Sequence, residues 1–145
     1  MKAILTSIAG ISLFLTGSNL SASDLTIDMT GFRNDKGNIA IALYKDAKSF
    51  KDNNIVNAPY TMLFTANGSK NLTLHNIPAG QYAISILHDE NRNGTIDTTS
   101  RGFPTEGYAY SNNVGKLYAP SFKDAAFSHT ADADTKQTLK ILYVK

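Results

Sequence analysis

Apolar residues recur with a period of two along most of the chain after residue 24, and this pattern limits the fold more than any other feature. The stretch DLTIDMTGF places Leu25, Ile27 and Met29 on one face of an extended strand. GNIAIALY and QYAISILHD alternate in the same way. Successive side chains of a strand point to opposite faces, so such alternation predicts half-buried β-strands. Several short strands separated by turn residues favour a two-sheet β-sandwich.

We predict six strands, with the sequences DLTIDMTGF, GNIAIALY, YTMLFTA, NLTLHNI, QYAISILHD and QTLKILYVK. RNDKGN, between the first two, is rich in residues that tolerate turn dihedrals, and it predicts a hairpin. Asn67-Gly68 predicts a turn between the third and fourth strands. Only KDAKSFKDN has helical character, and it predicts a turn or a short helix. The last two strands should direct six side chains inward: Tyr82, Ile84, Ile86, Leu139, Ile141 and Tyr143.

NIPAGQYAI turns the chain with a Pro and a Gly and then starts a strand at Tyr82. This order resembles the tyrosine corner of immunoglobulin-like sandwiches, in which the hydroxyl binds upstream backbone. An ordinary core aromatic fits Tyr82 equally well, because either role buries a ring with one polar end.

The N-terminus has one early Lys, a short apolar core and then small polar residues, which is typical of a secretory signal peptide. We therefore predict a signal peptide over residues 1–23 and one domain over 24–145, in a periplasmic or secreted protein. Cleavage one or two residues before Ser23 fits nearly as well. An uncleaved anchor is the alternative, but the apolar core falls short of the about 20 residues that span a bilayer. No other segment is apolar enough to span a membrane.

The composition excludes several classes of function. Cysteine is absent, which excludes a disulfide framework, a thiol nucleophile and a lipidated cysteine. The chain has 14 basic and 12 acidic side chains, so without Lys2 the predicted mature domain carries 13 − 12 = +1. Nucleic acid is excluded as a partner because its binding needs clustered Lys and Arg.

The segment from Asp89 to Thr135 lacks sustained alternation and contains Gly94, Gly102, Gly107 and Gly115. We predict one long irregular loop here. Irregular connections of this length are rare in compact domains unless they are functional, and something must order them. Without disulfides, the candidates are packing of the segment's aromatic rings and a bound metal ion.

HDENRNGTID places oxygen-bearing side chains at positions one, three, five and nine of a loop that has Gly at position six. These are positions of an EF-hand calcium loop, in which Gly permits the sharp turn. Position twelve is Ser100 instead of the usual Glu, so Glu106 would have to supply the missing carboxylate. The candidate metal ligands are Asp89, Asn91, Asn93, Asp97 and Glu106 by their side chains, and Thr95 by its carbonyl.

Calcium and a plain polar turn both explain this loop. With two Asn among the ligands, a Ca²⁺ site would be weak, with a dissociation constant of about 10⁻⁴ to 10⁻³ M. Mg²⁺ fits less well because it demands a tighter octahedral geometry. Alternatively, the Asn and Asp side chains cap turns through their own backbone, with Asn93-Gly94 as the turn.

No catalytic set is evident, and we predict that the protein is not an enzyme. His75, His88 and His129 lack metal-type spacing, and no Ser lies in a nucleophile elbow. His88 shares a strand face with Ile84 and Ile86, which predicts a packed histidine.

The loop 103–122 offers an alternative function. Tyr108, Tyr110 and Tyr118 could stack on a carbohydrate or small ligand, with Asn112 and Asn113 as hydrogen-bonding partners. Packing of these rings against the domain is the simpler explanation. The partner is therefore an unknown envelope or extracellular molecule, or a glycan.

Four blocks in order, GNIAIALY, NIPAGQYAISILHDENRNGTIDT, GFPTEGYAYSNN and PSFKDAAF, resemble a bacterial family known as domain of unknown function 2141. The resemblance runs from about Leu25 to Val144. It implies an immunoglobulin-like or transthyretin-like sandwich in a secreted or periplasmic protein, without a known activity. It also pairs the Asp-x-Asn-x-Asn-Gly loop with the later Glu106 as one site. Ala109 and Tyr110 depart from the Gly and Phe of the family pattern.

Overall fold

The computed structural model describes residues 21–51, 58 and 60–144. Eight strands form two sheets, and two short helices accompany them. The strands are β1 (Ala22–Thr30), β2 (Asn38–Tyr44), β3 (Tyr60–Thr65), β4 (Asn71–Pro78), β5 (Gly80–Asp89), β6 (Gly107–Tyr110), β7 (Phe127–His129) and β8 (Thr135–Lys140). The helices are α1 (Ala47–Lys51) and α2 (Phe122–Ala125), and a 3₁₀ turn covers Ser111–Asn113. Most of the predicted signal peptide lies outside the described residues.

The smaller sheet has the order β4-β1-β8, and the larger one has the order β3-β2-β5-β6 with β7 also paired to β5. All pairs are antiparallel except β1 with β8, which run parallel. The predicted all-β sandwich is therefore confirmed. None of the helices in residues 21–51 and 60–144 has the length and apolar character that crossing a membrane requires.

The main core lies between the two sheets, where the alternating apolar residues meet. Leu25, Ile27 and Met29 of β1 are buried there, as their spacing predicts. β2 and β5 are buried on both faces, because a second cluster forms on the outer side of the larger sheet. Phe50 of α1 and Ala125 of α2 cover that side. Burial on both faces explains why the sequences of β2 and β5 contain nearly continuous runs of apolar residues.

The predicted hairpin of the first two strands is wrong. β1 pairs with β4 and β8, whereas β2 pairs with β3 and β5 in the other sheet. Residues 31–37 cross between the sheets, with positive φ angles at Gly31 and Gly37. β3 and β4 likewise enter different sheets, although the turn at Asn67-Gly68 is present, with Gly68 N–H bound to Thr65 O. Turn residues indicate a change of direction and do not identify the partner strand.

The prediction of one long irregular loop is correct only in part. β6, the 3₁₀ turn, α2 and β7 all lie between Asp89 and Thr135, and residues 90–106 remain irregular. α2 begins at a capping box, in which Ser121 and Asp124 bind each other's backbone N–H. The spacing Ser-x-x-Asp is a recognised helix start. It is the signal in the sequence from which this helix could have been predicted. The predicted short helix in KDAKSFKDN is confirmed as α1.

Tyr82 combines the two roles that its sequence context allowed. Its ring is fully buried in the core, and its hydroxyl donates to Pro78 O at 2.8 Å. The contact to backbone four residues upstream is the one expected of a tyrosine corner. It anchors the start of β5, the strand that carries the candidate loop at its other end.

Tyr82→Phe should lower the free energy of unfolding by about 1 to 2 kcal/mol, because it leaves a half-buried carbonyl without its donor while keeping the ring. Urea unfolding measures the change. Tyr118→Phe is the matched control, since the Tyr118 side chain is 84% exposed and should unfold as the unaltered protein does. Equal free energies of unfolding for all three proteins would show that the Tyr82 hydroxyl contact does not contribute to stability.

Candidate functional site

The pairing of β5 with β6 brings together two carboxylates that are far apart in sequence. His88 lies opposite Gly107 in this antiparallel pair, so Asp89 at the end of β5 and Glu106 just before β6 are neighbours. Only 2% of Asp89 and 4% of Glu106 is exposed. Buried carboxylates are costly unless they are hydrogen-bonded, so the loop between them must supply donors.

The Asp89 carboxylate binds the first part of that loop. It accepts hydrogen bonds from the backbone N–H groups of Asn93 at 3.1 Å and of Gly94 at 2.8 Å. Gly94 has a φ angle of +80°, in the left-handed region that Gly adopts most easily. The chain therefore wraps around the Asp89 side chain, as the EF-hand-like spacing predicts.

The Glu106 carboxylate closes the loop from the other side. Its two oxygens accept hydrogen bonds from Glu90 N at 2.8 Å and from Asp97 N at 3.0 Å. It thus ties the first residue after β5 to a residue in the middle of the loop. Glu106 therefore contacts the backbone of the loop with which it was predicted to form one site, and its role as a cation ligand stays a prediction.

Asp97 is the centre of the remaining polar contacts. The side-chain amides of Asn91 and Asn93 both donate to its carboxylate, the second at 2.8 Å. The Asn91 oxygen accepts from Asn93 N, and the Asn93 oxygen accepts from Thr95 N and the Thr95 hydroxyl. These are Asx turns, in which a side chain replaces a backbone carbonyl.

The structure thus links the side chains of five of the six predicted metal ligands in one hydrogen-bonded network: Asp89, Asn91, Asn93, Asp97 and Glu106. Thr95 joins through its N–H and hydroxyl, and the role of its carbonyl stays a prediction. Among residues 21–51, 58 and 60–144, no three His, Asp or Glu side chains form a group able to hold a metal ion. The polar-turn interpretation describes these contacts, and calcium binding stays a prediction.

Beyond Asp97 the loop forms a miniature hairpin. Thr98 bridges Pro104, Thr105 N binds Asp97 O at 2.8 Å, and Thr99 N binds Phe103 O at 2.8 Å. Residues 99–103, at the end of this hairpin, are all exposed. The position of Phe103 therefore depends on the backbone at Asp97.

The crossover loop 31–37 contacts both ends of the loop between β5 and β6. Arg33 forms a two-pronged ion pair with Glu90 and also donates to Thr105 O at 3.0 Å. The Asn34 amide binds the same Glu90 carboxylate. The hydrogen bond from Arg33 is the main cause that lowers the pKa of Glu90 below its usual value. Gly37 lies so close to Asp89 O that a Cβ would be 2.0 Å away, so no larger residue fits there.

His88 is a satisfied core histidine, as its strand position predicts. Its Nε2 lies 2.8 Å from Lys36 O, and its Nδ1 lies 2.7 Å from the Tyr143 hydroxyl. A carbonyl only accepts, so Nε2 carries the proton, and the hydroxyl can then donate to Nδ1. Both ring nitrogens are used in joining the crossover loop to the C-terminal segment.

His129 is a buried histidine whose partners the sequence did not reveal. Its Nε2 lies 3.0 Å from Ile77 O and 3.1 Å from the Ser23 hydroxyl, and its Nδ1 lies 2.8 Å from the Thr135 hydroxyl. The contact to the Ile77 carbonyl places the proton on Nε2. The Ser23 hydroxyl therefore has no base to activate it, and it donates to Thr130 O at 2.6 Å. In the full chain this Ser–His contact joins the start of β1 to β7.

The three tyrosines of the alternative ligand site have different environments. Tyr110 packs edge-on against Phe50, and burial raises its pKa. The Tyr108 hydroxyl donates to Gly115 O at 3.2 Å. All three tyrosines line one cavity of about 330 Å³, and Tyr118 is the exposed one among them. The simpler explanation, that rings hold the loop on the domain, therefore describes Tyr108 and Tyr110.

The two asparagines proposed to assist a carbohydrate bind backbone instead. Asn112 donates to Asp124 O and Ala126 O, which fixes α2. Asn113 donates to Thr138 O and accepts from Lys140 N, so it covers the free edge of β8. Covering an exposed strand edge prevents it from pairing with another chain.

Arg33→Gln should destabilise the protein by at most about 1 kcal/mol at pH 7, because the Arg33 side chain is about half exposed. Pairing depresses the pKa of Glu90, so the stability it contributes is present above the unfolded pKa of about 4.3 and is lost as the pH falls through the folded value. Urea unfolding at pH 7 and pH 3 measures the difference, with Arg101→Gln as the charge-matched control. A difference that persists undiminished at pH 3 would contradict the assignment of the pair.

The sequence profile of one family matches residues 27–138, a span that includes most of both sheets and the whole loop between β5 and β6. That family is described as an uncharacterized protein conserved in bacteria, DUF2141. No curated protein and no solved structure matches the chain. The profile covers well over half of the chain and agrees with the resemblance of the four sequence blocks. The chain therefore belongs to the DUF2141 family.

Proposed function

We propose that this protein is a non-enzymatic β-sandwich module of the bacterial envelope whose loop 90–106 is stabilised by Ca²⁺. One observation carries the proposal: hydrogen bonds, in part through the loop backbone, join the side chains of Asp89, Asn91, Asn93, Asp97 and Glu106 into one network, although these residues span the whole loop. Carboxylate, amide and carbonyl oxygens are the ligands that Ca²⁺ prefers.

The hydrogen bonding leaves capacity for a cation. A carboxylate has about four lone-pair sites, and the oxygens of Asp89 and Glu106 each accept one backbone N–H. Among the described residues, ion pairs place a Lys or Arg side chain on Glu90, Asp35 and Asp28, and His75 lies beside Asp24. Asp89, Asp97 and Glu106 have no such partner there. A divalent cation would balance their charge.

The role we propose for the ion is structural. The chain contains no cysteine, so a disulfide cannot hold the loop. Ca²⁺ would fix Asp97 relative to the ends of β5 and β6, and thereby fix the miniature hairpin beyond it. The envelope location rests on the signal-like N-terminus, which fits millimolar extracellular calcium sites of about 10⁻⁴ to 10⁻³ M. An immunoglobulin-like or transthyretin-like relationship is part of the same proposal, supported by the tyrosine corner contact of Tyr82.

The absence of a catalytic role is also proposed. It is supported by the use of both nitrogens of His88 and His129 in contacts that join elements of the fold. In each ring the proton lies on the nitrogen that faces a backbone carbonyl. Neither ring is free to accept a proton from a bound substrate.

Ca²⁺ at 10 mM should stabilise the protein by about 1 to 3 kcal/mol, which corresponds to a rise in Tm of about 3 to 10 °C. Asp97→Asn should reduce the rise strongly, because it removes one charge at the centre of the network and keeps the side-chain shape. Asp132→Asn removes an exposed carboxylate elsewhere and should leave the rise intact. Thermal unfolding with Ca²⁺ and with chelator measures the effect, and calorimetric titration measures binding. Identical melting with Ca²⁺ and chelator would refute calcium binding.

A carbohydrate or small ligand bound through Tyr108, Tyr110 and Tyr118 is the second candidate, and it has less support. Tyr118 alone of the three combines high exposure with the edge of a cavity.

If a glycan stacks on this ring, Tyr118→Ala should weaken binding in a glycan array at least about tenfold without lowering Tm, since stacked rings contribute about 1.4 kcal/mol or more. Tyr60→Ala, on the distant strand β3, is the control for loss of a ring. A screen in which no glycan binds the unaltered protein would remove this candidate.

A further inference from the structure

Three large apolar side chains stand exposed around one opening in the surface. The side chains of Phe103, Leu117 and Tyr118 are 53%, 84% and 84% exposed. All three line the same cavity of about 330 Å³. Among the described residues, the other large exposed apolar side chains are Leu63 and Val144, which do not line it. Scattered exposure is ordinary, but clustered exposure marks an interaction surface. We name Phe103, Leu117 and Tyr118 the apolar tip.

The backbone beneath the apolar tip is fixed. The Tyr108 hydroxyl binds Gly115 O, and a Cβ on Gly115 would lie 2.8 Å from the Tyr110 ring. Gly115 also has a φ angle of +84°. The chain thus packs its backbone closely on two half-buried rings, and the following Leu117 and Tyr118 are exposed.

The apolar tip is flanked by positive charge. Lys116 precedes Leu117, Arg101 lies two residues before Phe103, and both are exposed. Between residues 98 and 124 the chain has three basic residues and two acidic residues, Glu106 and Asp124. Glu106 is buried and bound to backbone amides, so it presents no charge at the surface. Asp124 is exposed and lines a neighbouring cavity with Leu117 and Tyr118, but the three basic residues are exposed as well. The exposed charges near the apolar tip are therefore predominantly positive.

The combination of apolar and cationic groups selects among possible occupants. A sugar needs hydrogen-bonding groups beside the ring, but Phe103 and Leu117 have none, and Asn112 and Asn113 bind backbone. A second copy joined symmetrically through the apolar tip would bring like charges together, which is unfavourable. An anionic lipid surface supplies an apolar layer beneath negative head groups, and both features match.

We propose that the apolar tip docks on an anionic lipid bilayer. Leu117, Tyr118 and Phe103 enter the boundary between head groups and acyl chains, and Lys116 and Arg101 contact the head-group phosphates. Tyr118 suits this depth because its ring is apolar and its hydroxyl is polar. This inference goes beyond the calcium loop and does not require a bound ion.

Tyr118→Trp turns the apolar tip into its own reporter, because the chain has no other tryptophan. Vesicles of phosphatidylcholine with one third phosphatidylglycerol are added in the presence of chelator, which separates the result from calcium binding. The emission should shift to the blue as the indole leaves water, and the protein should sediment with the vesicles. Pure phosphatidylcholine vesicles should produce neither effect.

Two variants in the Tyr118→Trp protein test the two contributions. Leu117→Ser should lower the partition coefficient about tenfold, because burial of Leu contributes about 1.4 kcal/mol or more. Lys116→Gln should lower it about fivefold, since a basic residue near an anionic surface contributes about 1 kcal/mol. Leu63→Ser on β3 and Lys136→Gln on β8 are matched controls that should bind as the Tyr118→Trp protein does.

Three outcomes would overturn the proposal. The first is the absence of binding to the anionic vesicles while circular dichroism shows a folded protein. The second is equal binding to neutral and anionic vesicles, which would remove the role of Lys116 and Arg101. The third is equal loss of binding in the test variants and their controls, because the apolar tip would then not be the contact surface.

Discussion

The burial of two carboxylates at the open end of the β5–β6 pair is the constraint on which the rest of the site depends. Asp89 and Glu106 are nearly inaccessible to solvent. Their oxygens accept hydrogen bonds from four backbone N–H groups of the loop 90–106. A buried carboxylate without such donors would cost several kcal/mol. The loop thus takes its course because its backbone must solvate these two side chains, and the order of a segment without secondary structure follows from that requirement.

The crossover loop 31–37 also helps to hold the loop 90–106 in place. It approaches the site loop so closely that Gly37 has no room for a side chain, and Arg33 and Asn34 both bind Glu90. A loop that connects the two sheets is thereby joined to the loop between β5 and β6 of the larger sheet. His88 and Tyr143 extend this connection to the C-terminal segment, so all three segments converge at one end of the sandwich.

Sequence patterns predicted strands and local loops better than they predicted pairing. Alternation identified the side of β1, β2 and β5 that meets the core between the sheets. It predicted half-buried strands, however, whereas β2 and β5 are buried on both faces. It could not show that β1 and β2 lie in different sheets, since a turn-forming sequence such as RNDKGN serves a hairpin and a crossover equally well. β6 and β7 were missed because four and three residues are too few for a period of two to stand out. The partnership of Asp89 with Glu106 was accessible through the family pattern, whereas the link from Arg33 to Glu90 depends on the tertiary fold and had no local signal.

The loop 90–106 connects the two proposals physically. Asp97 binds Glu106 through its N–H, the two Asn amides through its carboxylate, and Thr105 through its carbonyl. The last contact begins the miniature hairpin that presents Phe103. A cation that fixes the Asp97 side chain would restrict this hairpin before it meets the lipid. The entropic cost of docking Phe103 on the lipid surface would then be smaller. Calcium would then strengthen docking without touching lipid, through the backbone of a single residue. If calcium and docking are coupled in this way, Ca²⁺ should strengthen the contact of Phe103 with lipid. The contacts of Leu117 and Tyr118, which follow Gly115, should not change with Ca²⁺.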